Sequence, residues 1–514
     1  MSFGLLAFGC AFAVSAVAAP LIARLSVRLG LVDAPDAHRK LHARAVPLTG
    51  GPTILIASVS AIAVTLFFFP DLLKPTAHDT KFLVALFASG SLIVLIGLID
   101  DRFGMRGRQK LLGQIVAGII MLPSGIIIRE ISVFGIQVSF GDLGPIVTLI
   151  CIVGAINALN LIDGVDGLAS TTGIILSLSF AAITYVYGAR PDGVMISLVL
   201  AGALSGFLLY NFPPARMFLG DSGSMLIGLI LGVVALKCSV KQVAAATLIM
   251  PTAVWAIPLF DVAMAIVRRK LTGRSIYETD RGHLHHCLER KGLVGAKLLV
   301  ITASLCAITG IGAVAASFWQ NDLIALISVG TALSLLVLTR SFGHTEMSLL
   351  SNRLRRLTGS MIQRKAPVQT VLHDQMVRLN GDQDWQRLWG TLTEFAERFE
   401  MDSVELMVNL PQVGEEYHAS WKRKTKTLTH EEWKSEIPLI IQDMRAGHIK
   451  VAGAVGDGSI CKWMSDLIGG LEAFEAELVS LIEEIRRQKI DNRSAGHPIR
   501  TEQVVSPTIR SEAI

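Results

Sequence analysis

The feature that most constrains this chain is a series of long apolar segments that occupies its first two thirds. Each segment is about 20 residues long, which as a helix matches the ~30 Å hydrocarbon core of a bilayer. We count eleven, near residues 4–27, 49–70, 82–99, 109–128, 144–161, 167–188, 193–210, 223–240, 243–267, 298–318 and 322–339. The sequence therefore predicts an α-helical polytopic membrane protein with about eleven transmembrane helices.

The charged residues divide the chain into two parts. Residues 1–339 contain 24 Lys and Arg and 17 Asp and Glu, whereas residues 340–514 contain 23 and 25. The net charge of +5 is therefore divided into +7 and −2, which excludes a basic nucleic-acid-binding protein. The six cysteines are scattered without a CxxC spacing, so no disulfide framework is expected.

The Lys and Arg residues between the apolar segments predict the orientation. With their helix ends, the first, third, fifth, seventh and ninth connections hold 17 of them, and the second, fourth, sixth and eighth hold six. Short loops that are rich in Lys and Arg stay in the cytoplasm. We therefore expect an outer N-terminus and a cytoplasmic C-terminal region, with residues 1–340 as the membrane domain.

The region after the last apolar segment has the pattern of a soluble domain. Residues 341–384 are predicted to be a linker or helical segment, and the apolar spacing between Trp385 and Phe399 is helical. Strands are predicted at 403–410, 417–423, 435–441 and 448–455, followed by an amphipathic helix at 462–488 and a disordered tail at 489–514. We expect a cytoplasmic α+β domain over 385–488, similar in outline to GAF domains and without a catalytic constellation.

Acidic and amide residues collect at the ends of the apolar segments, on the side assigned to the cytoplasm. Ionisable groups in such places are costly, so they pair, line a cavity or bind ions. Each cluster alone has a structural explanation, such as turn formation by DGVDG, but four clusters on one face favour a site. They comprise Asp100 and Asp101 with Lys110; Asn157, Asn160, Asp163 and Asp166; Asn211 and Asp221; and Arg281, His283, His285 and His286.

Phosphoryl transfer between anionic partners is the chemistry that needs this set of residues. Mg²⁺ prefers oxygen ligands and is held by one or two protein groups together with substrate phosphates. Lys and Arg then neutralise the remaining phosphate charge. The motif GDSGS at 220–224 begins an apolar segment, so we expect the free N–H groups of that helix to face a phosphate. The membrane setting indicates that one substrate is a lipid.

These motifs resemble those of the polyprenyl-phosphate N-acetylhexosamine-1-phosphate transferases, which form glycosyltransferase family 4. The pieces VDAPDAHRKLHARAVPLTGG, the aspartate pair with Lys110, NALNLIDGVDG, NFPPARMFLGDSGS and DRGHLHH occur in family order over roughly residues 30–290. The last piece is similar to the WecA/TagO branch, which usually takes UDP-N-acetylglucosamine. The MraY branch typically carries three consecutive histidines, whereas Leu284 interrupts the run here.

The resemblance implies a reaction and a location. Undecaprenyl phosphate would attack a UDP-sugar, release UMP and become an undecaprenyl-pyrophosphoryl sugar, with N-acetylglucosamine as the expected sugar. This is the first lipid-linked step of a cell-surface polysaccharide. It would take place at the cytoplasmic face of a bacterial inner membrane and require Mg²⁺, with Mn²⁺ as an alternative ion.

The resemblance also implies roles for individual residues, position by position. Asn160 and Asp221 match metal ligands, Lys110 matches a contact to the donor phosphates, and Asp100 and Asp101 match the pair that acts on the lipid phosphate. Asp163 belongs to the same catalytic group. Substrate binding is expected from Asp166 at the uracil, from Arg281, His283, His285 and His286 at the pyrophosphate and sugar, and from Asn157, Asn211, Lys40 and His42. Asp261 fits the family pattern as well, with a structural role at a helix end as the alternative.

Three other functions stay open at this point. The first is an MraY-type transferase that uses UDP-MurNAc-pentapeptide. The second is a lipid or sugar transporter, although transporters place their substrate sites near the bilayer midplane rather than at span ends. The third is a receptor with the tail as its sensor, which leaves the acidic clusters without a purpose. The expected partners are a UDP-N-acetylhexosamine, undecaprenyl phosphate and membrane lipid, with a homodimer and a cytoplasmic partner of the tail left open.

Overall fold

A computed structural model of the chain forms two units, Met1–Leu350 and Ser351–Ile514, and each is described separately. The structure describes residues 2–33, 45–73, 77–133, 136–186, 191–240, 249–271, 282–343, 347, 373–380, 385–399, 401–410, 415–423, 432–441, 444–454 and 480.

The first unit is built from helices, and every predicted apolar segment falls on at least one of them. The ninth segment contains two, α9 and α10. The helices are α1 (Ser2–Leu29), α2 (Gly50–Phe68), α3 (Ala77–Phe103), α4 (Gly107–Met121), α5 (Gly144–Ile162), α6 (Leu168–Val186), α7 (Pro191–Asn211), α8 (Gly220–Val240), α9 (Ile249–Val254), α10 (Ala256–Leu271), α11 (Leu284–Arg290), α12 (Ala296–Trp319) and α13 (Asp322–Leu338).

Eight helices within the described ranges are long and apolar enough to cross a membrane: α1, α2, α3, α5, α6, α7, α8 and α12. Helix α13 is apolar but shorter, with 17 residues, and α4 has 15. The prediction of a polytopic membrane protein is therefore confirmed. The total of eleven spans and the orientation stay predictions.

Helix α8 lies at the centre of this unit and approaches two neighbours at backbone distance. A Cβ atom on Gly228 would lie 2.6 Å from the Cα of Ile156 in α5, and one on Gly97 of α3 would overlap the Cα of Ser222 in α8. Small residues permit such close helix packing in membranes. The packing brings the N-terminus of α8 to the C-terminal ends of α3 and α5.

A buried ion pair fixes the other end of α8. The ammonium of Lys237 contacts Asp192 at the start of α7, and it lies 3.6 Å from the centre of the Phe82 ring in α3. Both charged side chains are less than a tenth exposed. Since an unpaired charge is strongly unfavourable at such a place, this contact ties α3, α7 and α8 together.

The loops of the first unit contain two short antiparallel strand pairs. Strand β1 (Val32–Asp33) pairs with β2 (Val46–Pro47), and β3 (Glu130–Val133) pairs with β4 (Ile136–Ser139). Just after β2, Leu48 bridges to Phe218, which holds the start of α2 beside the loop before α8.

The second unit contains a five-stranded antiparallel sheet and one described helix. Its strands are β5 (His373–Asn380), β6 (Ser403–Leu410), β7 (Glu415–Lys422), β8 (Glu432–Ile441) and β9 (Met444–Ala454), in the order β5-β7-β6-β9-β8, and helix α14 is Gln386–Arg398. Alternation in β6 turns Val404, Leu406 and Val408 toward the core, where they share a cluster with Trp385 and Trp389. The four predicted strands are confirmed, and so is the predicted helix between Trp385 and Phe399.

Strand β5 lies inside 341–384, where the sequence predicts a linker or helical segment. Over 373–380 that prediction is wrong. The sequence HDQMVRLN contains few apolar residues and no clean alternation, because an edge strand needs less of either than a central one. The predicted helix at 462–488 and the tail at 489–514 lie outside the described residues, apart from residue 480.

Candidate active site

Four helices contribute polar side chains that meet at the ammonium group of Lys110. This residue lies in the first turn of α4, and its Nζ is 3.0 Å from Asp100 Oδ2 in α3 and 2.5 Å from Asp221 Oδ2 in α8. The same Nζ donates to Asn160 Oδ1 in α5 over 3.2 Å. Residues from positions 100 to 221 are thus brought into contact, as expected if the sequence clusters form one site.

The amide of Asn160 is held in one orientation. Its Nδ2 donates to Asp221 Oδ1 over 2.6 Å and to Ser224 Oγ over 3.0 Å, while its Oδ1 accepts from Lys110. The Asp221 side chain remains about one third exposed. Its carboxylate therefore combines fixed neighbours with access for a ligand.

This set of donors fits a magnesium ion. Carboxylate and amide oxygens converge on one cationic group, and these are the hard oxygen ligands that Mg²⁺ prefers. Within the described residues, no three His, Cys, Asp or Glu side chains form a metal-binding group. A site with one or two protein ligands is nevertheless typical of Mg²⁺ when substrate phosphates complete its coordination.

Asp101 holds the N-terminus of α8. Its carboxylate accepts from the backbone N–H of Asp221 over 2.8 Å and from that of Ser222 over 3.3 Å. Gly220 permits this contact, because its φ is +71° and a Cβ there would lie 2.7 Å from Asp101 Oδ2. For the N–H groups of Asp221 and Ser222, the expectation that they are free for phosphate is therefore wrong, because a carboxylate already accepts from both.

Gln114 is a residue of this site that the sequence motifs did not reveal. It lies one helical turn below Lys110, and Asn157 Nδ2 donates to its Oε1 over 2.7 Å. Asn157 thus joins α5 to α4 behind Lys110. A Gln within an apolar segment, four residues after a site lysine, was the available signal, since residues at i and i+4 share a helix face.

The loop after α5 adds two carboxylates. Asp166 Oδ2 accepts from the backbone N–H of Ala215 over 2.9 Å, which links this loop to the one before α8. Burial raises the pKa of Asp163 well above its usual range, and the nearby carboxylates of Asp221, Asp101 and Asp166 raise it further. The repulsion marks a place where a positive charge would be stabilised.

Asn211 was expected to bind substrate, and in the structure its side-chain amide bonds to groups of the protein. Its side chain is buried, its Nδ2 donates to the carbonyl of Met217 over 2.9 Å, and its Oδ1 accepts from Ser170 Oγ over 2.8 Å. Both ends of the amide are therefore engaged within the protein. In the structure it holds the loop at 212–219, and its role in substrate binding stays a prediction.

Asp261 in α10 orients the start of the histidine helix α11. Its Oδ1 accepts from the backbone N–H of Leu284 over 2.8 Å, and its Oδ2 lies 3.0 Å from His283 Nδ1. His283 is buried, whereas the side chain of His286 is about one third exposed and lies 3.2 Å from Glu289. His286 lowers the pKa of Glu289 through this contact. Of the three histidines, His286 is the one most open to a ligand.

His285 faces inward and is neutral. It lines a small apolar cavity between α6, α10 and α12, where Thr172, Thr302 and Cys306 are its neighbours. Its Nε2 abuts Gly164, where a Cβ atom would overlap the imidazole. Burial lowers the pKa of His285 to about 4. This histidine therefore attaches α11 to the loop that carries Asp163.

The pKa of His285 predicts an acid-sensitive fold. Because the folded-state pKa of about 4 lies below the ordinary 6.5, the unfolded chain takes up the proton first as the pH falls. Stability that is present above pH 6.5 is then lost toward pH 4, by at most ~1.4 kcal/mol per pH unit. The thermal midpoint in detergent should therefore fall less steeply in this range for His285→Gln than for wild type. His286→Gln is the control, and equal slopes for all three proteins would contradict the prediction.

Three predicted site residues lie outside the described residues: Lys40, His42 and Arg281. Their assignments stay predictions.

Comparison with known proteins gives consistent matches. The family model described as "Glycosyl transferase family 4" matches residues 83–239, which include α8 and the ends of α3, α4 and α5. The chain is 29% identical over 315 residues to the probable undecaprenyl-phosphate N-acetylglucosaminyl 1-phosphate transferase of Bacillus subtilis, covering 60% of this chain and 85% of the relative. It is 32% identical over 329 residues to the decaprenyl-phosphate N-acetylglucosaminephosphotransferase of Mycobacterium tuberculosis H37Rv (60% and 80%). It is 28% identical over 308 residues to the undecaprenyl-phosphate alpha-N-acetylglucosaminyl 1-phosphate transferase of Salmonella typhimurium (57% and 79%).

Proposed function

The chain belongs to glycosyl transferase family 4, and we propose that it transfers N-acetylglucosamine 1-phosphate from UDP-N-acetylglucosamine to undecaprenyl phosphate. An oxygen of the lipid phosphate attacks the β-phosphorus of the donor, and the bond from that phosphorus to the bridging oxygen breaks. UMP leaves, and the sugar stays on the lipid through a pyrophosphate. The relatives named above support a polyprenyl-phosphate N-acetylglucosamine-1-phosphate transferase.

The observation that carries this proposal is the meeting of Lys110 with Asp100, Asp221 and Asn160. A structural ion pair needs one carboxylate, whereas here two carboxylates and an amide from three helices surround one ammonium. Such a surplus of fixed oxygens suits a site that binds a metal ion and the phosphates it neutralises.

Within this proposal, Asn160 and Asp221 hold Mg²⁺. The ion supplies charge stabilisation at the transferred phosphoryl group. Lys110 lies beside both ligands, so its ammonium neutralises a phosphate oxygen of the donor. Asp101 orients Asp221 through the backbone of α8, which leaves Asp100 as our choice for the group that acts on the lipid phosphate.

The remaining residues bind or orient the donor. Asp166 recognises the uracil, and its bond from Ala215 N–H fixes its position. His286, the most open of the three histidines, binds the pyrophosphate and sugar together with Arg281, while His283 and His285 hold α11 in place. Lys40 and His42 are proposed as supporting residues.

The site belongs to the cytoplasmic face of a bacterial inner membrane in this proposal, because the loops beside it carry most of the Lys and Arg of the connections. A UDP-sugar is a cytosolic metabolite, so a site on that side meets its donor directly.

UMP release tests the proposed function and the donor together. Purified protein in detergent or nanodiscs is given undecaprenyl phosphate, Mg²⁺ and either UDP-N-acetylglucosamine or UDP-MurNAc-pentapeptide. We expect UMP from the first donor and none above background from the second, because Leu284 interrupts the histidine run. Reactions without lipid or with EDTA are the controls. Efficient use of the pentapeptide donor would assign the protein to the MraY branch, and no UMP from either donor would refute the proposal.

The second unit is expected to be dispensable for chemistry in vitro. Every proposed site residue precedes Arg290, and the second unit has a core of its own. A chain that ends after residue 350 should therefore release UMP at a rate within about threefold of the full chain at matched protein density in nanodiscs. A loss of more than about tenfold, equivalent to ~1.4 kcal/mol in the barrier, with an unchanged thermal midpoint would contradict this expectation.

A further inference from the structure

We propose that Phe342 is a positioning residue for the histidine helix α11, and that residues 339–343 form a clasp that holds this helix in the active site. The inference rests on the proposed function for its catalytic consequence. The clasp is the segment Thr339–Gly343, which directly follows the last apolar helix, α13.

The first observation is the burial of Phe342 after the end of α13. Its side chain is 2% exposed, whereas Leu338, four residues earlier, is 81% exposed. The chain turns back here, since the N–H groups of Ser341 and Phe342 both donate to the carbonyl of Leu336 and Arg340 has a φ of +50°. A chain that merely left the bundle would not bury a large aromatic side chain at its exit.

The second observation is what Phe342 packs against. Its ring lies edge-on to that of Phe260 in α10, with 5.6 Å between ring centres and 82° between planes. Gly343, with a φ of +78°, lies close to the same ring: a Cβ there would be 2.8 Å from Phe260 Cζ. Phe260 directly precedes Asp261, whose carboxylate binds the Leu284 N–H and His283.

The third observation is a contact at the other end of α11. Lys291, the residue after this helix, donates through its Nζ to the carbonyl of Thr339 over 2.8 Å and to Ser341 Oγ over 3.3 Å. The clasp therefore touches α11 at its C-terminal end directly and at its N-terminal end through Phe260 and Asp261. Both contacts come from the five residues of the clasp, so the position of α11 depends on the packing of this one segment against Phe260 and Lys291.

These contacts predict which kinetic constant depends on Phe342. Helix α11 carries His285 and His286 and begins next to His283. The proposed function places this helix at the donor, whereas the proposed metal ligands lie on α5 and α8. Without the aromatic ring, Phe260 loses its edge-on contact, and the residue that it precedes, Asp261, is the one that binds the start of α11. A looser α11 should weaken donor binding and leave acceptor binding unchanged.

The kinetic test compares full-length variants in nanodiscs. We expect Phe342→Ala to raise KM for UDP-N-acetylglucosamine about tenfold, with kcat within about threefold and an unchanged KM for undecaprenyl phosphate. Phe342→Leu, which keeps most of the volume, should recover most of the donor affinity. Leu338→Ala is the matched control, because it shortens an exposed side chain at the same chain exit. An unchanged donor KM in Phe342→Ala, or equal rises for both substrates, would overturn the proposal.

A second readout does not need turnover. Cys287 lies on α11 and is half-buried, while Cys238 lies at the far end of α8 beside Thr184. We expect Phe342→Ala to raise the rate of maleimide labelling at Cys287, measured by mass spectrometry, at least fivefold relative to that at Cys238. General loosening of the fold would raise both rates together and would overturn the proposal, as would no change at Cys287.

Two outcomes need to be kept apart. If the wild-type protein releases no UMP, the proposed function is wrong, and the labelling ratio alone decides whether the clasp holds α11. If Phe342→Ala cannot be purified, Phe342→Leu and Phe260→Leu carry the test, with an expected rise in donor KM of about two- to fourfold for each. In the double variant Phe342→Leu/Phe260→Leu, a fold-rise in donor KM that is smaller than the product of the two single fold-rises would indicate that the two rings act through one contact. A fold-rise equal to that product would overturn this interpretation.

Discussion

Replacing Asp221 with Asn should lower UMP release at least a hundredfold without unfolding the protein. The substitution keeps the shape of the side chain and removes its negative charge. The asparagine keeps one acceptor oxygen for either Asn160 Nδ2 or Lys110 Nζ, and these donors also have Ser224 Oγ and Asp100 as partners, so the packing at the start of α8 should survive. A site that holds Mg²⁺ with one or two protein groups depends strongly on the charge of each of them. Losing one such electrostatic contact typically costs about 10²–10³ in rate.

The measurement is the rate of UMP release across a Mg²⁺ titration for wild type, Asp221→Asn and Asn160→Ala. Both variants should need more Mg²⁺ for half-maximal activity as well as having a lower maximal rate. Asp142→Asn is the matched control, since Asp142 is exposed on another connection. Thermal midpoints in detergent report folding. A variant at residue 221 or 160 within tenfold of the wild-type rate at every Mg²⁺ concentration would remove that residue from the metal site.

The helices could be predicted well from the sequence because one physical requirement, the transfer of an apolar segment into the bilayer, decides where a membrane span lies. Apolar length determines whether a segment can cross, and most of α8 is buried inside the first unit, in keeping with its central position. The strands of the second unit were also predictable where alternation is regular, as in Val404, Leu406 and Val408. The edge strand β5 was not predicted because its residues lack this alternation.

Most members of the candidate site could be predicted, but their partners could not. Asp100 and Asp101 are adjacent in sequence and looked equivalent. In the structure one pairs with Lys110 and the other accepts from the N-terminus of α8. That division depends on how α3 crosses α8 at Gly97, which no local pattern encodes. The partner of Asp261 could not be predicted either. His283 is 22 residues away in the sequence, and the length of the connection does not determine how far apart the two side chains lie.

Burial separates residues that share a motif. His283, His285 and His286 are spaced for one short segment, and nothing in their spacing ranks them. Helix α11 rotates His285 toward the cavity beside Thr302 and leaves His286 at the surface. Asn157 and Asn160 are separated in the same way, since one meets Gln114 and the other meets Asp221. A helix places neighbours at i and i+3 on one face but at different depths, and depth decides which of them a ligand can reach.

Replacing Lys110 with Met should also lower UMP release at least a hundredfold, and it should affect the metal requirement differently from Asp221→Asn. The ammonium lies between Asp100, Asp221 and Asn160, where it competes with a metal ion for the same oxygens. Removing it leaves two carboxylates facing each other, so the Mg²⁺ concentration for half-maximal activity should fall or stay constant. The maximal rate should collapse, because the charge that neutralises the donor phosphates is gone.

Lys110→Arg should restore little of the activity, since a planar guanidinium cannot occupy the place of a compact ammonium among three oxygens. Lys297→Met, at an exposed lysine in the first turn of α12, is the control. A Lys110→Met protein that keeps more than a tenth of the wild-type rate, or that needs more Mg²⁺ than wild type, would show that Lys110 does not act on the phosphates.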